Sequence, residues 1–213
     1  MNGSVVTDFN YDVDFDRDAI SVDGKPLKSR DYQYLILHKP KDVLTTCDDP
    51  GGRRTVMDIL PPEYKHLKPV GRLDRQSEGL LILTNDGDFS HKLMHPSKQI
   101  WKTYKGTCGG RLQDQDRQKL EQGVELKDGI TLPSKVEIKS IEEDKSTFLI
   151  SIREGRNRQI RRMCSQLGYP VIRLVRVAIG RLQLKPMAPG QFKFLSKDQI
   201  EELCGIRREN DSF

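Results

Sequence analysis

Residues 70–87 read VGRLDRQSEGLLILTNDG and join a charged loop to an apolar run. The run from Leu80 to Leu83, continued by Thr84, has the length and composition of a buried strand. Asn85-Asp86-Gly87 follows at once, and these three residue types are strong turn formers. The segment therefore predicts a core strand that is entered from a charged loop and left through a turn.

Asp74 is the candidate reactive group of that loop. It lies between Arg72 and Arg75, and flanking positive charge keeps a carboxyl ionised and available as a nucleophile or a base. An Arg-x-Asp-Arg string is also common on protein surfaces, where the carboxylate serves only in ion pairs. On these residues alone the structural ion pair is the favoured interpretation.

Further strands and helices follow along the chain in an irregular order. The spacing of Ile160, Met163, Cys164 and Leu167 predicts an amphipathic helix over 158–167. Because the strands and helices do not alternate regularly, we expect an α+β fold with a mainly antiparallel sheet. The additional predicted strands are 34–37, 148–152 and 171–178.

The arginines of the 158–167 helix are distributed around its axis. At about 100° per residue, Arg158 and Arg162 lie opposite the apolar stripe. Arg161 lies on the border of the stripe and can turn inward beneath the surface. The wheel thus separates one arginine that can be buried from two that face solvent.

Composition excludes several classes of protein. The 213 residues are 35% hydrophobic with a mean hydropathy of −0.64, and the longest apolar run falls far short of the about 18 residues that a spanning helix needs. The N-terminus lacks the pattern of a cleavable signal peptide. Four scattered cysteines without a CxxC pair indicate reduced thiols and no zinc site, and the four histidines form no ligand cluster.

Charge is uneven along the chain. The net charge is +5, but the window 151–185 alone carries +8, from eight arginines and Lys185 against Glu154. A phosphate-binding surface is therefore expected in the C-terminal third, although a solvated arginine-rich face with internal ion pairs explains the charge equally well. Upstream, lysines surround Trp101 and Tyr104 in the sequence. This pattern is typical of a site that stacks a flipped nucleotide, and equally of an ordinary strand with one exposed face.

Four segments in a fixed order resemble one enzyme family. They are 34–40 (YLILHKP), 70–87, 102–104 (KTY) and 153–163 (REGRNRQIRRM), and together they span about 34–195. In this order they resemble the bacterial ribosomal pseudouridine synthases of the Rsu type. The string 93–97 (LMHPS) and the Gly-Arg-Asn-Arg spelling are most similar to the branch that acts on large-subunit rRNA.

The resemblance implies a fold, a reaction and a set of site residues. The expected fold is the pseudouridine synthase fold, a mixed and mainly antiparallel central sheet with flanking helices and a central active-site cleft. The implied reaction isomerises a specific uridine of ribosomal RNA, namely 23S rRNA, to pseudouridine, with neither cofactor nor metal. Asp74 is the implied catalytic carboxylate, as nucleophile or as base. The implied supporting residues are Arg72, Tyr104 and Arg161, of which Arg161 would pair with Asp74, and the expected RNA contacts are Lys102, Arg158, Arg162, Arg173 and Arg176.

The chain departs from the family pattern at two places. Residues 1–31 hold only a hairpin where family members usually have a small RNA-binding domain, so we expect an N-terminal extension, a catalytic domain over 32–206 in two halves (about 32–103 and 104–206), and a tail over 207–213. Asp42 stands where many members have glycine. The loop after Pro40 can therefore differ in conformation from that of the family, while the chemistry is unaffected.

Two other functions remain compatible with the sequence. One is a non-catalytic ribosome-assembly factor that binds rRNA with the same fold. The other is a carboxylate-dependent nucleosidase or glycosidase, which generally needs two acids, and no such pair stands out. The expected partner is ribosomal RNA, and the expected protein is a cytoplasmic monomer without membrane contact.

Overall fold

The structure is a computed structural model that describes residues 1–8, 10–14, 17–26 and 31–204. The chain divides into two compact units, Met1–Tyr32 and Gln33–Phe213. The predicted tail over 207–213 lies outside the described residues.

The N-terminal unit contains the predicted hairpin. Strands β1 (Ser21–Val22) and β2 (Lys25–Pro26) pair antiparallel. Asp23 and Gly24 form the turn with φ of 50° and 73°, the left-handed geometry that two-residue hairpin turns favour. The unit is otherwise held by polar contacts, such as the hydrogen bond from Asn2 to Asp18 at 2.9 Å.

The second unit is built on one nine-stranded sheet. Its main strand order is β13-β3-β5-β11-β6-β10-β9, with β4 paired to β5 and β12 to β11. Within this sheet every described pair is antiparallel except β5 with β11. The strands are β3 (Tyr34–Lys39), β4 (Lys68–Val70), β5 (Glu78–Thr84), β6 (Lys102–Gly109), β9 (Lys135–Ile141), β10 (Lys145–Ile152), β11 (Val171–Ile179), β12 (Leu182–Gln183) and β13 (Phe192–Phe194). The expected mixed, mainly antiparallel α+β architecture is confirmed.

Helices and one small hairpin surround the sheet. The hairpin is β7 (Glu125–Leu126) with β8 (Gly129–Ile130). The helices are α1 (Gly87–Met94), α2 (Asp114–Gln122), α3 (Gln159–Gln166) and α4 (Lys197–Cys204), with short 3₁₀ turns at Val56–Asp58, Pro62–Tyr64 and Pro96–Lys98. Among the described residues, no helix is long and apolar enough to cross a membrane.

The core strand β5 is longer than its apolar run. All seven of its residues are buried, including Glu78 and Gly79 ahead of the predicted start. Gly79 has a φ of 108°, and a Cβ there would lie 2.3 Å from the backbone oxygen of Arg176 on β11. Only glycine permits this approach, so the parallel contact between β5 and β11 depends on it.

Helix α3 differs from its prediction mainly at its start. It covers Gln159–Gln166 instead of 158–167, because Arg158 takes a left-handed conformation (φ 47°) and precedes the helix as its N-cap. Ile160, Met163 and Cys164 are buried as the periodicity predicts. The helix therefore packs its apolar stripe into the core beneath β6, β10 and β11.

The core consists of three hydrophobic clusters. Alternate residues of β3 and β5 feed two of them: Leu35 and Leu81 belong to one, and Ile36 and Leu80 to the other. The third joins β6, β10 and α3 around the buried ring of Phe148. Leu73, from the loop before β5, belongs to this third cluster. The residue after it, Asp74, is thereby held at the edge of the core.

Candidate active site

A cleft of about 270 Å³ opens over the middle of the sheet. Three parts of the chain form it: the loop between β4 and β5, the central strands β6 and β11, and the loop that joins β10 to α3. Its lining residues are Arg72, Leu73, Asp74, Ser77, Tyr104, Ile152, Gly155, Arg156, Asn157, Arg158, Gln159, Ile160 and Leu174. The structure therefore brings Asp74, Arg72, Tyr104 and Arg158 together, as the sequence predicts.

The Asp74 side chain is half-buried and unpaired. It makes no hydrogen bond or ion pair with any residue that the structure describes. Asp74 is also the one acidic side chain among the described residues that line the cleft. The structural ion pair that the sequence alone favoured is thus not formed, and the carboxylate is available to a ligand.

The residue before Asp74 is fixed by a hydroxyl group. Thr45 donates its hydroxyl to the Leu73 carbonyl at 2.9 Å and accepts from the Leu73 amide at 3.3 Å. Thr45 is buried, as is Leu73. These two bonds restrict both peptide groups of Leu73 and hence the direction in which Asp74 leaves the core.

The carbonyls after Asp74 are held by a buried lysine. Lys39 is fully buried at the end of β3, and its ammonium donates to the carbonyls of Ser77 at 2.8 Å and of Arg75 at 3.4 Å, as well as to that of Pro40 at 2.9 Å. Burial lowers the pKa of Lys39 to about 8, although the carboxylates of Glu78, Asp74 and Asp42 oppose the shift. Lys39 therefore ties the catalytic loop to the core strand.

Arg161 turns inward, but its expected ion pair with Asp74 is wrong. Its Nη2 donates to the Gln76 carbonyl at 2.9 Å and its Nη1 to the Val171 carbonyl at 3.0 Å. Burial lowers the pKa of Arg161, with Arg158 adding to the effect, whereas the charge of Asp74 raises it. The guanidinium therefore contacts the backbone of the loop that carries Asp74 through its terminal nitrogens, while its Nε is buried without a hydrogen-bond partner among the described residues.

Asp42 also holds this loop. Its φ of 64° is the left-handed conformation that favours glycine, so the backbone geometry is the one expected of the family. Its amide donates to the Arg75 carbonyl at 2.8 Å, and its carboxylate accepts from Gln76 at 2.5 Å and from Arg75 at 3.2 Å. The residue that replaces glycine thus adds side-chain contacts to both residues that follow Asp74.

The cleft lining also contains aromatic and apolar side chains. Tyr104 of β6 is 8% exposed, and Ile152 and Leu174 line the cleft beside it. Trp101, the other aromatic residue predicted to offer a face, instead packs against Lys135 and Arg153, whose charged groups lie 4.9 and 4.8 Å from its ring centre. Tyr104 is therefore the aromatic side chain that can meet a ligand in the cleft.

Arg176 does not lie on an RNA-binding surface, and that expectation is corrected. It is 3% exposed, and its Nε donates to the Leu80 carbonyl at 2.7 Å. Side chains alternate along β11, and Arg176 shares the inward face with Leu174. Its neighbour Arg173 is exposed, yet it forms a bidentate ion pair with Glu78 at 2.9 and 3.0 Å. Arg173 is thus partly neutralised.

The remaining predicted contacts fall into different settings. Arg162 makes a bidentate pair with Asp128 at 2.8 and 2.9 Å. Lys102 is half-buried and lies outside the cleft lining. Burial lowers the pKa of Lys102, and the nearby charge of Arg176 lowers it further. Arg158 is exposed and lines the cleft, and its side chain makes no hydrogen bond or ion pair with the described residues.

Several cleft residues escaped the sequence reasoning. Ser77 and Asn157 lie in the same two loops as the predicted residues, and Gln159 is the first residue of α3, so their nearness in sequence to Asp74 and Arg158 was the available signal. Leu174 could be found only through the strand order, which places β11 beside β6. Within the described ranges, no group of three or more His, Cys, Asp or Glu residues could hold a metal ion, and the four cysteines are free thiols.

Comparison with known proteins identifies the family. A family model described as RNA pseudouridylate synthase matches residues 33–166. The chain is 38% identical over 208 residues to ribosomal large subunit pseudouridine synthase B of Bacillus subtilis, covering 97% of this chain and 85% of that protein. It is 45% identical over 173 residues to ribosomal large subunit pseudouridine synthase E of Vibrio parahaemolyticus, covering 75% and 72%.

A solved structure supports the same assignment. The crystal structure of a pseudouridylate synthase matches with a TM-score of 0.76 at 29% identity, covering 95% of this chain and 86% of that one. The chain belongs to the RNA pseudouridylate synthase family, and it is an enzyme that isomerises uridine to pseudouridine in RNA.

Proposed function

We propose that this enzyme modifies a uridine of large-subunit ribosomal RNA, acting as a cytoplasmic monomer. The names of the Bacillus and Vibrio relatives support the choice of RNA. The unpaired Asp74 carboxylate in the same cleft as Tyr104 is the observation that carries the catalytic assignment.

The reaction moves the bond between base and sugar. The bond from uracil N1 to the ribose C1′ breaks, the base rotates, C5 bonds to C1′, and the proton leaves C5 while N1 gains one. Asp74 starts this sequence as a nucleophile at the sugar or as a base, and both roles need an ionised carboxylate with open access. The open access is supported by the position of Asp74, which lines the cleft and makes no side-chain hydrogen bond or ion pair to a described residue.

The other residues bind and orient the nucleotide. Tyr104 stacks on the flipped uracil, because its buried ring lines the cleft and bases are commonly held by aromatic faces. Arg72 is exposed at the rim and holds the flipped nucleotide or fills its vacated place. Arg158 contacts a phosphate, with Lys102 and the paired Arg162 and Arg173 as weaker contributors. Arg161 is a positioning residue through the Gln76 carbonyl.

The catalytic domain is proposed to be residues 32–206, with its two halves meeting at about 103–104. The division of the chain after Tyr32 supports the first boundary. Residues 1–31 then form an N-terminal extension, and the catalytic domain provides most of the RNA contacts.

Mapping pseudouridine in ribosomal RNA tests the substrate. Cells that lack the protein should lose one modification in large-subunit rRNA and regain it with the wild-type gene, but not with Asp74→Asn. A lost site in small-subunit rRNA would contradict the choice of RNA. An unchanged map, together with no turnover on a purified large-subunit transcript, would support the non-catalytic assembly factor instead.

A further inference from the structure

A second cavity of about 670 Å³ lies on the outer side of α3. We call it the α3 groove, and its polar lining includes Lys127, Arg158, Arg161, Arg162, Ser165 and Gln166. One acidic residue, Glu125, also lines it. Arg158 lines both this groove and the Asp74 cleft, so the two cavities adjoin at that residue.

One wall of the groove is a hairpin that two arginines fix in place. The β7–β8 turn carries Lys127 and Asp128, and Arg162 of α3 binds both carboxylate oxygens of Asp128. Arg156 donates to the carbonyls of Asp128, Gly129 and Ile130 at 3.0, 2.9 and 2.7 Å. The hairpin is therefore held against α3 before any ligand arrives, which reduces the ordering cost of binding.

Two of the four cations that line the groove have side chains without a described partner. Arg162 is paired with Asp128, and the terminal nitrogens of Arg161 donate to backbone carbonyls. Lys127 and Arg158 are both exposed, and neither side chain has a hydrogen bond or ion pair to a residue that the structure describes. Arg158 also keeps a left-handed backbone, an unfavourable conformation for arginine that is often associated with functional sites.

We propose that the α3 groove binds the RNA strand adjoining the target uridine, with Lys127 contacting a backbone phosphate. The proposal rests on the proposed function only for the identity of the RNA. A strand whose uridine occupies the Asp74 cleft passes Arg158 and then meets Lys127, with the Ser165 hydroxyl and the Gln166 amide as further donors. Such contacts read the sugar-phosphate backbone and carry no sequence information.

The test is the salt dependence of RNA binding by Lys127→Ala. Affinity for a large-subunit rRNA transcript is measured at several salt concentrations, together with KM and kcat. Each phosphate contact contributes about 0.7 to the slope of log affinity against log salt for a single strand. We expect Lys127→Ala to lower the slope by about that amount and to raise KM several-fold at unchanged kcat. Lys127→Arg should restore the wild-type slope.

Lys193→Ala is the matched control. Lys193 is an exposed lysine on the edge strand β13, without a described partner, and its removal should leave the slope unchanged. A wild-type slope in Lys127→Ala, or an equal fall in Lys193→Ala, would overturn the proposal. A fall in kcat without a change in KM would overturn it as well. Binding is measured independently of turnover. If the proposed function fails, the salt slopes of the wild type, Lys127→Ala and Lys193→Ala therefore still decide whether the groove binds RNA.

Discussion

Arg161 joins the loop that carries Asp74 to the start of β11, because its terminal nitrogens bind the carbonyls of Gln76 and Val171 at once. A lysine ammonium on a flexible stem cannot reproduce this planar fork. We therefore expect Arg161→Lys to lower kcat by about tenfold or more, since small misplacements of a reacting group cost that much. Its melting temperature should fall only slightly.

The matched control for this substitution is Arg162→Lys, in the same helix. Arg162 is partly exposed and pairs with Asp128, and exposed ion pairs contribute little to stability. Its kcat should stay close to that of the wild type. Steady-state kinetics and thermal unfolding of both variants distinguish the cases, and equal activities would remove Arg161 from the positioning role.

Asp42 offers a second residue-scale prediction, because its backbone and its side chain can be tested separately. Asp42→Gly suits the φ of 64° but loses the acceptor for Arg75 and Gln76, whereas Asp42→Asn keeps an acceptor oxygen and tolerates this conformation. Loss of about 1 kcal/mol of hydrogen bonding should lower kcat about fivefold in Asp42→Gly. The kcat of Asp42→Asn should stay within about twofold of the wild-type value. Similar kinetics for both variants would show that the side chain does not support the loop.

The family resemblance assigned Asp74, Arg72 and Tyr104 to one site, whereas the residues alone favoured an ion pair for Asp74, and the prediction for Arg176 was wrong. The arginine-rich window suggested a surface, and only the alternation along β11 shows that Arg176 shares a face with buried Leu174. The partners of Arg161 were equally hidden. Backbone carbonyls leave no mark in a sequence, so an expected ion pair could not be distinguished from hydrogen bonds to Gln76 and Val171.

At the scale of the elements, the β5–β11 contact depends on Gly79. A methyl group there would meet backbone atoms of Arg176 at 2.3 to 2.9 Å, and backbone cannot move aside as a side chain can. Such overpacking costs about 1–3 kcal/mol or more, and the positive φ adds to it. For a domain of this size, we expect Gly79→Ala to lower the melting temperature by roughly several degrees.

Gly87→Ala is the control for Gly79→Ala. Gly87 begins α1, and a Cβ there has nothing within 4 Å. Alanine favours the helix over glycine, so the melting temperature should stay level or rise. Thermal unfolding by circular dichroism compares the two variants. Equal melting temperatures would mean that β5 and β11 can separate without cost.

Local pattern predicted the elements whose signal is local. The apolar period of α3 and the apolar run of β5 were visible in sequence, and both elements are present with shifted ends. The extension of β5 to Glu78 was not visible, because it depends on pairing with β11 almost a hundred residues later. The left-handed Arg158, which delays the start of α3, was missed for a similar reason, since arginine carries no signal for that conformation.

At the scale of the whole molecule, the strand order brings distant segments to one cleft. The parallel pairing of β5 with β11 and the antiparallel pairing of β11 with β6 place the Asp74 loop beside Tyr104. The ordered motifs predicted this convergence through their resemblance to a family. Composition and periodicity alone predicted an α+β protein but neither the order of its strands nor the α3 groove, because both depend on long-range contacts.

The central claim is that Asp74 carries the isomerisation, and tritium release from RNA labelled at C5 of uracil tests it most directly. Wild-type protein should release tritium as the C5 proton is lost. Asp74→Asn, which removes the charge and hardly changes the volume, should release none above background while its RNA affinity and melting temperature stay close to those of the wild type. Turnover by Asp74→Asn within about tenfold of wild type, less than the loss expected on removing a catalytic group, would contradict the account.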